Sequence, residues 1–287
     1  MTIREAISAA RARLVAAGIE PGEAGRDASL LARHALGWDR PTLVTRESED
    51  AGEPFQTAFH ALIERRARRE PVAYIRGVQE FWGRDFTVSP AVLIPRPETE
   101  LIIEELLARA HAGGAIARVA DIGTGSGCLA ITAALELAGA RLVATDISRA
   151  ALDVARHNAD RHGVADRIMF CDTPYLAGVE GVFDCIVSNP PYVTEAEYQQ
   201  LMPEVREYEP DTALRSGEDG LRDIRQLVDL APMRLAPGGT MIVEMGYQQA
   251  DAVVDLATGY PSLIVKTVSN DLQNIPRVIV IERSLTS

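Results

Sequence analysis

The stretch ARVADIGTGSG, residues 117–127, decides the fold that this sequence predicts. It begins as an apolar strand and ends in three glycines spaced G-x-G-x-G. A glycine-rich turn at the carboxyl end of a strand lets a ligand approach the backbone closely, because no Cβ intrudes. The spacing differs from the G-x-G-x-x-G turn that suits a pyrophosphate at a helix N-terminus. The expected ligand-binding residues are Gly123, Thr124, Gly125, Ser126 and Gly127.

Strands and helices alternate from this stretch to the end of the chain. Further strands are expected at RLVATD, RIMFCD, VFDCIVSN, GTMIVEMG, SLIVKTVS and PRVIVIER. Apolar strands joined by helices are typical of a mostly parallel sheet that is covered on both faces. The last two strands have no clear helix between them, so we expect the final strand to insert antiparallel. The sequence thus predicts an α/β fold with a seven-stranded, Rossmann-like sheet.

The N-terminal region predicts a small helical bundle. Thr2 and Glu5 form the S/T-x-x-E pattern of a capping box at the start of a first helix. Three more helices are expected. One begins near Pro21, a short one follows Pro41, and the last ends before Pro71. The apolar residues recur at helical spacing and are explained by a core, without a ligand.

A linker joins the bundle to the α/β region. The stretch YIRGVQEFWGRDFTV, residues 74–88, places aromatic and β-branched residues around Gly77 and Gly83, which is typical of a β-hairpin. Pro95 and Pro97 then fix an extended turn before a new helix. The expected parts are a helical domain at 1–70, a β-hairpin linker at 71–95 and the α/β domain at 96–287.

Acidic residues end the next two predicted strands. Asp146 ends the second and can accept hydrogen bonds from both hydroxyls of a ribose. Asp172 ends the third, where it can accept from an adenine amino group, with Thr173 beside it. A tight turn and two helix N-caps would explain these residues one at a time. Three such features at the ends of three successive strands favour a shared adenosine site.

The fourth predicted strand runs into Asn189-Pro190-Pro191-Tyr192. An ordinary turn would explain the prolines, but not their position beside the adenosine site. The Asn189 side-chain oxygen and the Pro190 carbonyl can accept both hydrogens of one NH₂ group. Proline has no N–H, so the loop offers acceptors on a stiff backbone. Tyr192 can pack its ring against a planar group.

This arrangement of acceptors suits methyl transfer to a planar amide or amino nitrogen. Such a nitrogen is a poor nucleophile because its lone pair is delocalised, and accepting both protons orients it and favours charge build-up on it. Attack on the sulfonium methyl of S-adenosylmethionine is then an in-line displacement that needs positioning and electrostatics rather than a strong base. Histidine is not required, and the five histidines show no motif spacing. The predicted catalytic residues are Asn189, Pro190 and Tyr192, and the substrate-binding residues add Pro191.

The charge of the chain bears on its partners. A formal net charge of -12 argues against a nucleic-acid substrate, since phosphate backbones are bound mainly by basic surfaces. One basic run, Arg65, Arg66, Arg68 and Arg69, has two explanations. It is either a solvated helix end, where positive charge suits the helix dipole, or a docking patch for an acidic or RNA-rich partner.

Cysteine usage and hydropathy indicate the compartment. The three cysteines show no CxxC spacing, so we expect neither a disulfide framework nor a metal site. The sequence shows no signal peptide and no apolar stretch near the length of a membrane span. We expect a cytoplasmic protein without membrane contact.

Taken together, these motifs resemble the HemK/PrmC family of protein N5-glutamine methyltransferases, which modify class 1 peptide-chain release factors. The resemblance covers nearly the whole chain and is weakest over its first seventy or so residues. A glycine loop with Asn-Pro-Pro-Tyr is shared with adenine-N6 and ribosomal-protein methyltransferases, whereas IPRPETE and EFWG favour the release-factor branch. The family-like stretches are residues 71–100, DIGTGSGCLAI, SNPPYV, EVREYEP, the AL…GEDGL run and LAPGGTMIVEMGYQQ.

The resemblance implies a role for each of these parts. Gly123 to Gly127, Asp146 and Asn189 would contact S-adenosylmethionine, and Asn189 to Tyr192 would bind the glutamine of a Gly-Gly-Gln motif. The products would be N5-methylglutamine and S-adenosylhomocysteine. The helical domain at 1–70 would dock the release factor, no stable nucleic-acid complex is expected, and we expect a monomer.

The sequence departs from the family pattern at two places. After Asp172 the family often has an aromatic or bulky apolar residue beside adenine, and here Thr173 and Pro174 follow. Near the C-terminus, DLQNIPRVI stands where a DLAGRDRVV-like run is more usual.

Three other functions fit parts of the pattern. The chain could methylate a glutamine of a ribosomal protein, or an amino group of DNA or RNA, although the net charge of -12 counts against the latter. A cofactor-binding adaptor without turnover would tolerate Asn189→Ala in the cell. The methylated product distinguishes these functions from release-factor methylation.

Overall fold

The computed structural model describes residues 1–114 and 116–285. The chain divides into two compact units. A helical unit comprises Met1–Val78 and Met202–Tyr208, and an α/β unit comprises Gln79–Leu201 and the chain from Glu209 onward.

The helical unit confirms the four predicted N-terminal helices. Thr2 Oγ1 accepts a hydrogen bond from the Glu5 N–H at 3.2 Å, and the Glu5 carboxylate accepts from the Thr2 N–H at 2.8 Å, which completes the capping box. The second helix begins at Pro21, and Gly37, whose backbone is in the left-handed conformation, caps its C-terminus. The helices are α1 (Ile3–Ala16), α2 (Pro21–Leu36), α3 (Arg40–Arg46), α4 (Glu53–Ala67) and α5 (Val72–Arg76).

Helix α5 corrects the predicted start of the hairpin. Tyr74 and Ile75, which were expected in a strand, are buried on this short helix, and Gly77 ends it with a φ of 71°. Their apolar side chains therefore belong to a packed helix face. The hairpin itself is confirmed later in the chain as a two-stranded sheet. Its strands are β1 (Val78–Phe81) and β2 (Arg84–Thr87).

Within the basic run at the end of α4, Arg66 departs from both explanations offered for the run. Arg66 is only 1% exposed, so it belongs neither to a solvated helix end nor to a docking patch. Its guanidinium donates to Asp27 at 2.6 Å, to Glu23 at 2.8 Å and to Glu204 at 2.9 Å. Glu204 also accepts from Arg69 at 2.7 Å. The sequence could not show this pairing because Glu204 lies 138 residues further along the chain.

We predict that Arg66→Met lowers the free energy of unfolding by about 3–5 kcal/mol, because it removes the cation that the buried carboxylates of Asp27 and Glu204 share. Chemical denaturation of the full chain measures the change. Arg65→Met is the matched control from the same helix, since its pair with Glu70 is partly exposed and contributes at most about 1 kcal/mol. Equal losses in the two variants would contradict the structural role of Arg66.

The α/β unit confirms the seven-stranded sheet, whose strands in spatial order are β5 (Ile168–Asp172), β4 (Arg141–Asp146), β3 (Arg118–Ile122), β6 (Phe183–Ser188), β7 (Leu235–Glu244), β9 (Pro276–Arg283) and β8 (Leu263–Asn270). The first five strands in this order are parallel, and β9 runs antiparallel to both of its neighbours, as expected for the last strand. The remaining helices are α6 (Glu100–His111), α7 (Cys128–Glu136), α8 (Arg149–Arg161), α9 (Glu195–Tyr198), α10 (Pro203–Tyr208, within the helical unit), α11 (Arg222–Arg234) and α12 (Ala250–Thr258).

Apolar side chains on both faces of the central strands form the core. On β3, Val119 packs into a cluster with α6 and α7, whereas the next residue, Ala120, packs into a second cluster with α11 and α12. This alternation is what a strand covered on both faces requires. From β3 the chain continues to β4 on one side of the sheet, and from β6 it continues to β7 on the other side. The strand order therefore reverses between β3 and β6. Ligands of open α/β sheets bind at such a switch point.

Candidate active site

A cavity of about 270 Å³ lies at the carboxyl ends of β3, β4 and β6. The predicted residues that line it are Gly123, Thr124, Gly125, Ser126, Asp146, Thr173, Asn189, Pro190 and Pro191. Of the other predicted residues, all of which the structure describes, Gly127, Asp172 and Tyr192 are not part of the lining. The ends of successive strands therefore bring most of the predicted residues to one place.

Two glycines of the turn expose backbone to the cavity. Gly123 and Gly125 have positive φ values of 73° and 53°, and a Cβ at either would meet no atom within 4 Å. Gly127 has a different role, because a Cβ there would lie 2.9 Å from Ile131 and 3.1 Å from Ala155. The first two leave room for a ligand, whereas Gly127 allows α7 and α8 to approach the turn.

A buried acid that we did not predict holds the turn in place. Asp121 Oδ2 accepts from the Thr124 hydroxyl at 2.6 Å and from the Ala130 N–H at 3.0 Å. Burial raises the pKa of Asp121 to about 7. Its position directly before the glycine turn is the sequence signal that could have identified it.

Asp146 combines contacts to the loop with free acceptor capacity. Its Oδ2 accepts from the Gly125 N–H and its Oδ1 from the Ser148 N–H, both at 2.9 Å. Each carboxylate oxygen has two lone pairs, so each can accept one further hydrogen bond. Burial raises the pKa of Asp146. The N-cap of α8 is Ser148, which leaves Asp146 available for the two hydroxyls of a ribose.

The adenine side of the cavity differs in detail from the prediction. Asp172 is paired with Arg149, and its contact with adenine stays a prediction. Thr173 lines the cavity and donates its hydroxyl proton to the Ala177 carbonyl at 2.9 Å. Aromatic surface comes instead from Tyr175, which lines the cavity and donates its hydroxyl proton to Asp223 at 2.8 Å. The sequence signal for Tyr175 is an aromatic residue three positions after the acid.

A chain of hydrogen bonds fixes the Asn189 side chain. Asn189 Nδ2 donates to Thr99 Oγ1 at 3.0 Å, and the Thr99 hydroxyl donates to Glu244 Oε2 at 2.6 Å. The Tyr192 hydroxyl donates to the other oxygen of Glu244 at 3.1 Å. An amide that is anchored through its nitrogen presents its oxygen on the opposite branch. Asn189 lines the cavity, and the use of its oxygen as the acceptor for a substrate NH₂ group stays a prediction.

Two further polar residues, which the sequence reasoning missed, hold the loops around Asn189. Gln249 donates to the Tyr192 carbonyl at 3.0 Å and accepts from the Gly246 N–H at 2.8 Å. Glu209 accepts from the Ile94 N–H at 3.1 Å and pairs with Arg96. Both stretches that carry Glu209 and Arg96, EVREYEP and IPRPETE, were family-like, although no role had been assigned to them.

The cysteines show no sign of redox or metal chemistry within the described part of the chain. All three are free, and burial raises the pKa of the Cys128 and Cys185 thiols to about 12. Across residues 1–114 and 116–285, we find no cluster of three or more His, Cys, Asp or Glu side chains arranged for a metal ion. Over the same ranges, each helix is too short or too polar to cross a membrane.

Comparisons with known proteins match most of the chain. Residues 5–77 match the family model for the PrmC N-terminal domain, and residues 97–207 match that for the methyltransferase small domain. A release factor glutamine methyltransferase of Bradyrhizobium diazoefficiens is 43% identical over 93% of this chain and 90% of its own. One of Geobacter sulfurreducens is 42% identical over 97% and 95%. A methyltransferase structure from Pyrococcus furiosus, 18% identical, matches the fold with a TM-score of 0.54 over 77% of this chain and 98% of its own.

The sheet, the glycine turn and the Asn-Pro-Pro-Tyr loop define an S-adenosylmethionine-dependent methyltransferase. The site fits that cofactor, because the open backbone at Gly123 and Gly125 and the free lone pairs of Asp146 suit a nucleoside. The identity over nearly the full length goes further than the fold: the chain belongs to the PrmC/HemK family of release factor glutamine methyltransferases.

We predict that Asp146→Asn weakens the binding of S-adenosylmethionine by roughly tenfold to a hundredfold. The amide lacks one acceptor oxygen, so contacts to the Gly125 N–H and to the ribose compete for the other. Isothermal titration calorimetry measures the dissociation constant. Asp172→Leu removes both acceptor oxygens and tests the predicted adenine contact separately, and unchanged affinity in that variant would contradict it. Unchanged affinity in Asp146→Asn would remove Asp146 from the cofactor site.

Proposed function

We propose that this enzyme transfers a methyl group from S-adenosylmethionine to the side-chain amide nitrogen (N5) of the glutamine in the Gly-Gly-Gln motif of class 1 peptide-chain release factors. The observation that carries the proposal is the anchored amide of Asn189, a residue that lines the cavity and whose side-chain nitrogen donates to Thr99 at 3.0 Å. The relatives at about 40% identity are named as release factor glutamine methyltransferases, which supports the choice of substrate.

The chain's own residues prepare the glutamine for reaction. Asn189 Oδ1 and the Pro190 carbonyl accept the two amide hydrogens, so the nitrogen is held with its lone pair toward the cofactor side of the cavity. The bound cofactor supplies a methyl group activated by a sulfonium. As the nitrogen forms its bond to carbon, positive charge grows on the NH₂ group, and both acceptors stabilise that charge. One proton leaves to solvent after transfer, which gives N5-methylglutamine and S-adenosylhomocysteine.

The division of labour along the chain belongs to the same proposal. We assign residues 1–70 to docking of the release factor, 71–95 to a linker and 96–287 to methyl transfer. The chain acts as a cytoplasmic monomer without stable nucleic-acid partners. The predicted contact between the Tyr192 ring and the substrate stays a prediction, because the structure shows the hydroxyl of this residue bound to Glu244.

We predict that Asn189→Ala lowers kcat by roughly a hundredfold to a thousandfold, because it removes one of the two acceptors that stabilise the developing charge. Mass spectrometry of the Gly-Gly-Gln peptide follows one added methyl group per release factor. A release factor whose motif glutamine is replaced by asparagine is the substrate control. Methyl transfer by the wild type to a ribosomal protein or to nucleic acid, but not to the release factor, would contradict the proposed substrate.

A further inference from the structure

The carboxyl group of Glu244 lies behind the Asn-Pro-Pro-Tyr loop, residues 189–192, and plays no part in the proposed transfer. Glu244 is the last residue of β7 and is 1% exposed. It is not among the described residues that line the cavity. It nevertheless contacts both ends of the loop, through Thr99 to Asn189 and directly to Tyr192. This buried acid connects two predicted catalytic residues, Asn189 and Tyr192, and the proposed transfer assigns it no role.

The direction of each hydrogen bond follows from donor and acceptor capacity. An ionised carboxylate accepts only, so the Thr99 hydroxyl must give its single proton to Glu244. The Thr99 oxygen can then only accept, and Asn189 must turn its NH₂ group toward it. The ionised acid thereby leaves the Asn189 oxygen for the substrate.

A proton on Glu244 disturbs this order. A neutral carboxyl group donates through one of its oxygens, so Thr99 and Tyr192 cannot both donate to it as before. If the Thr99 hydroxyl reverses, its proton points at Asn189, and the amide turns over to accept it. The Asn189 NH₂ group then faces the NH₂ group of the substrate, and two donors cannot form a hydrogen bond.

We propose that ionised Glu244 is a positioning residue that sets the side-chain amide of Asn189 through the Thr99 hydroxyl, and that protonation of Glu244 releases this setting. The inference rests on the proposed function, because it assigns a direction to the amide that binds the substrate glutamine. It adds a control of that amide by a proton held behind the loop.

The charged groups around Glu244 leave its protonation sensitive to pH near neutrality. Burial raises its pKa to about 7, and the Thr99 and Tyr192 hydroxyls oppose that rise by donating to the carboxylate. Arg277, on β9, also favours the ionised form, whereas Glu98, in the turn before α6, favours the protonated one. Cys128, on α7, faces the same carboxylate as a neutral thiol.

The first test is the pH profile of Glu244→Gln. At saturating S-adenosylmethionine, we expect kcat/KM of the wild type for the release factor to rise by up to about tenfold per pH unit below about pH 7, and then to level off. Glu244→Gln cannot titrate, so its profile should be flat over this range. The rise in kcat/KM below about pH 7 is the acid limb of the wild-type profile. If this limb persists unchanged in Glu244→Gln, the proposal is overturned.

Asp121→Asn is the matched control for the titration, because Asp121 is a second buried acid whose pKa is raised to about 7. Its contacts go to the glycine turn, so the variant should weaken cofactor binding. With saturating S-adenosylmethionine the limb should remain. Loss of the limb in Asp121→Asn and its persistence in Glu244→Gln would assign it to the other acid.

The second test uses Thr99 and does not depend on the folding of a Glu244 variant. Thr99→Val keeps the shape but removes the hydroxyl, and we expect kcat to fall roughly tenfold to a hundredfold, with a smaller change in the KM for S-adenosylmethionine. Thr99→Ser keeps the hydroxyl and should retain kcat within about threefold, with the wild-type limb. Equal kcat values in the two variants would contradict the proposal that Glu244 sets the Asn189 amide through the Thr99 hydroxyl. Absence of release-factor methylation by the wild type would instead contradict the proposed function.

Discussion

The site depends on one hydrogen bond, from Asn189 Nδ2 to Thr99 Oγ1 at 3.0 Å. A primary amide is nearly symmetric in shape but opposite in polarity at its two ends, so packing alone does not select which end faces a ligand. Only a partner that can accept and cannot donate selects it. Thr99 meets that condition while its own proton is bound to Glu244. The chemistry at the front of the loop is therefore set by a carboxyl group behind it.

The sheet explains how residues so distant in sequence can cooperate. Parallel strands bring their carboxyl ends to one edge, so the residue that ends β7 and the loop that follows β6 become neighbours. Thr99 lies 145 residues before Glu244 and reaches it from the turn that precedes α6. Glu209 holds the backbone just before that turn. Gln249 secures the Tyr192 carbonyl from the other side. Rigid placement of one small side chain thus draws on four separate stretches of the chain.

Local patterns were enough to predict the strands, the glycine turn, Asp146 and the Asn-Pro-Pro-Tyr loop, because each follows from strand ends and turn chemistry. Features that depend on distant partners could not be predicted. Arg66 appeared to be part of an exposed basic run, and its burial depends on a glutamate 138 residues away. Helix α5 has the composition of a strand, and tertiary packing overrides that preference. Tyr175 lines the cavity from a backbone position with a φ of 50°, a conformation that an aromatic residue rarely adopts and that local patterns do not predict.

Two buried acids at the site oppose stability at the pH where the site operates. Burial raises the pKa of Glu244 from 4.5 to about 7 and that of Asp121 from 3.8 to about 7, so the folded state holds these protons more tightly than the unfolded chain. Their contribution to stability is fully present below the unfolded values and is lost as the pH rises toward about 7. An amide or an apolar residue at either position would avoid this loss. Neither substitute could supply a buried group that only accepts, which is what orients Thr99 at Glu244 and holds Thr124 and the Ala130 N–H at Asp121. The acids are therefore explained by the geometry that they impose on the loops, at the expense of stability.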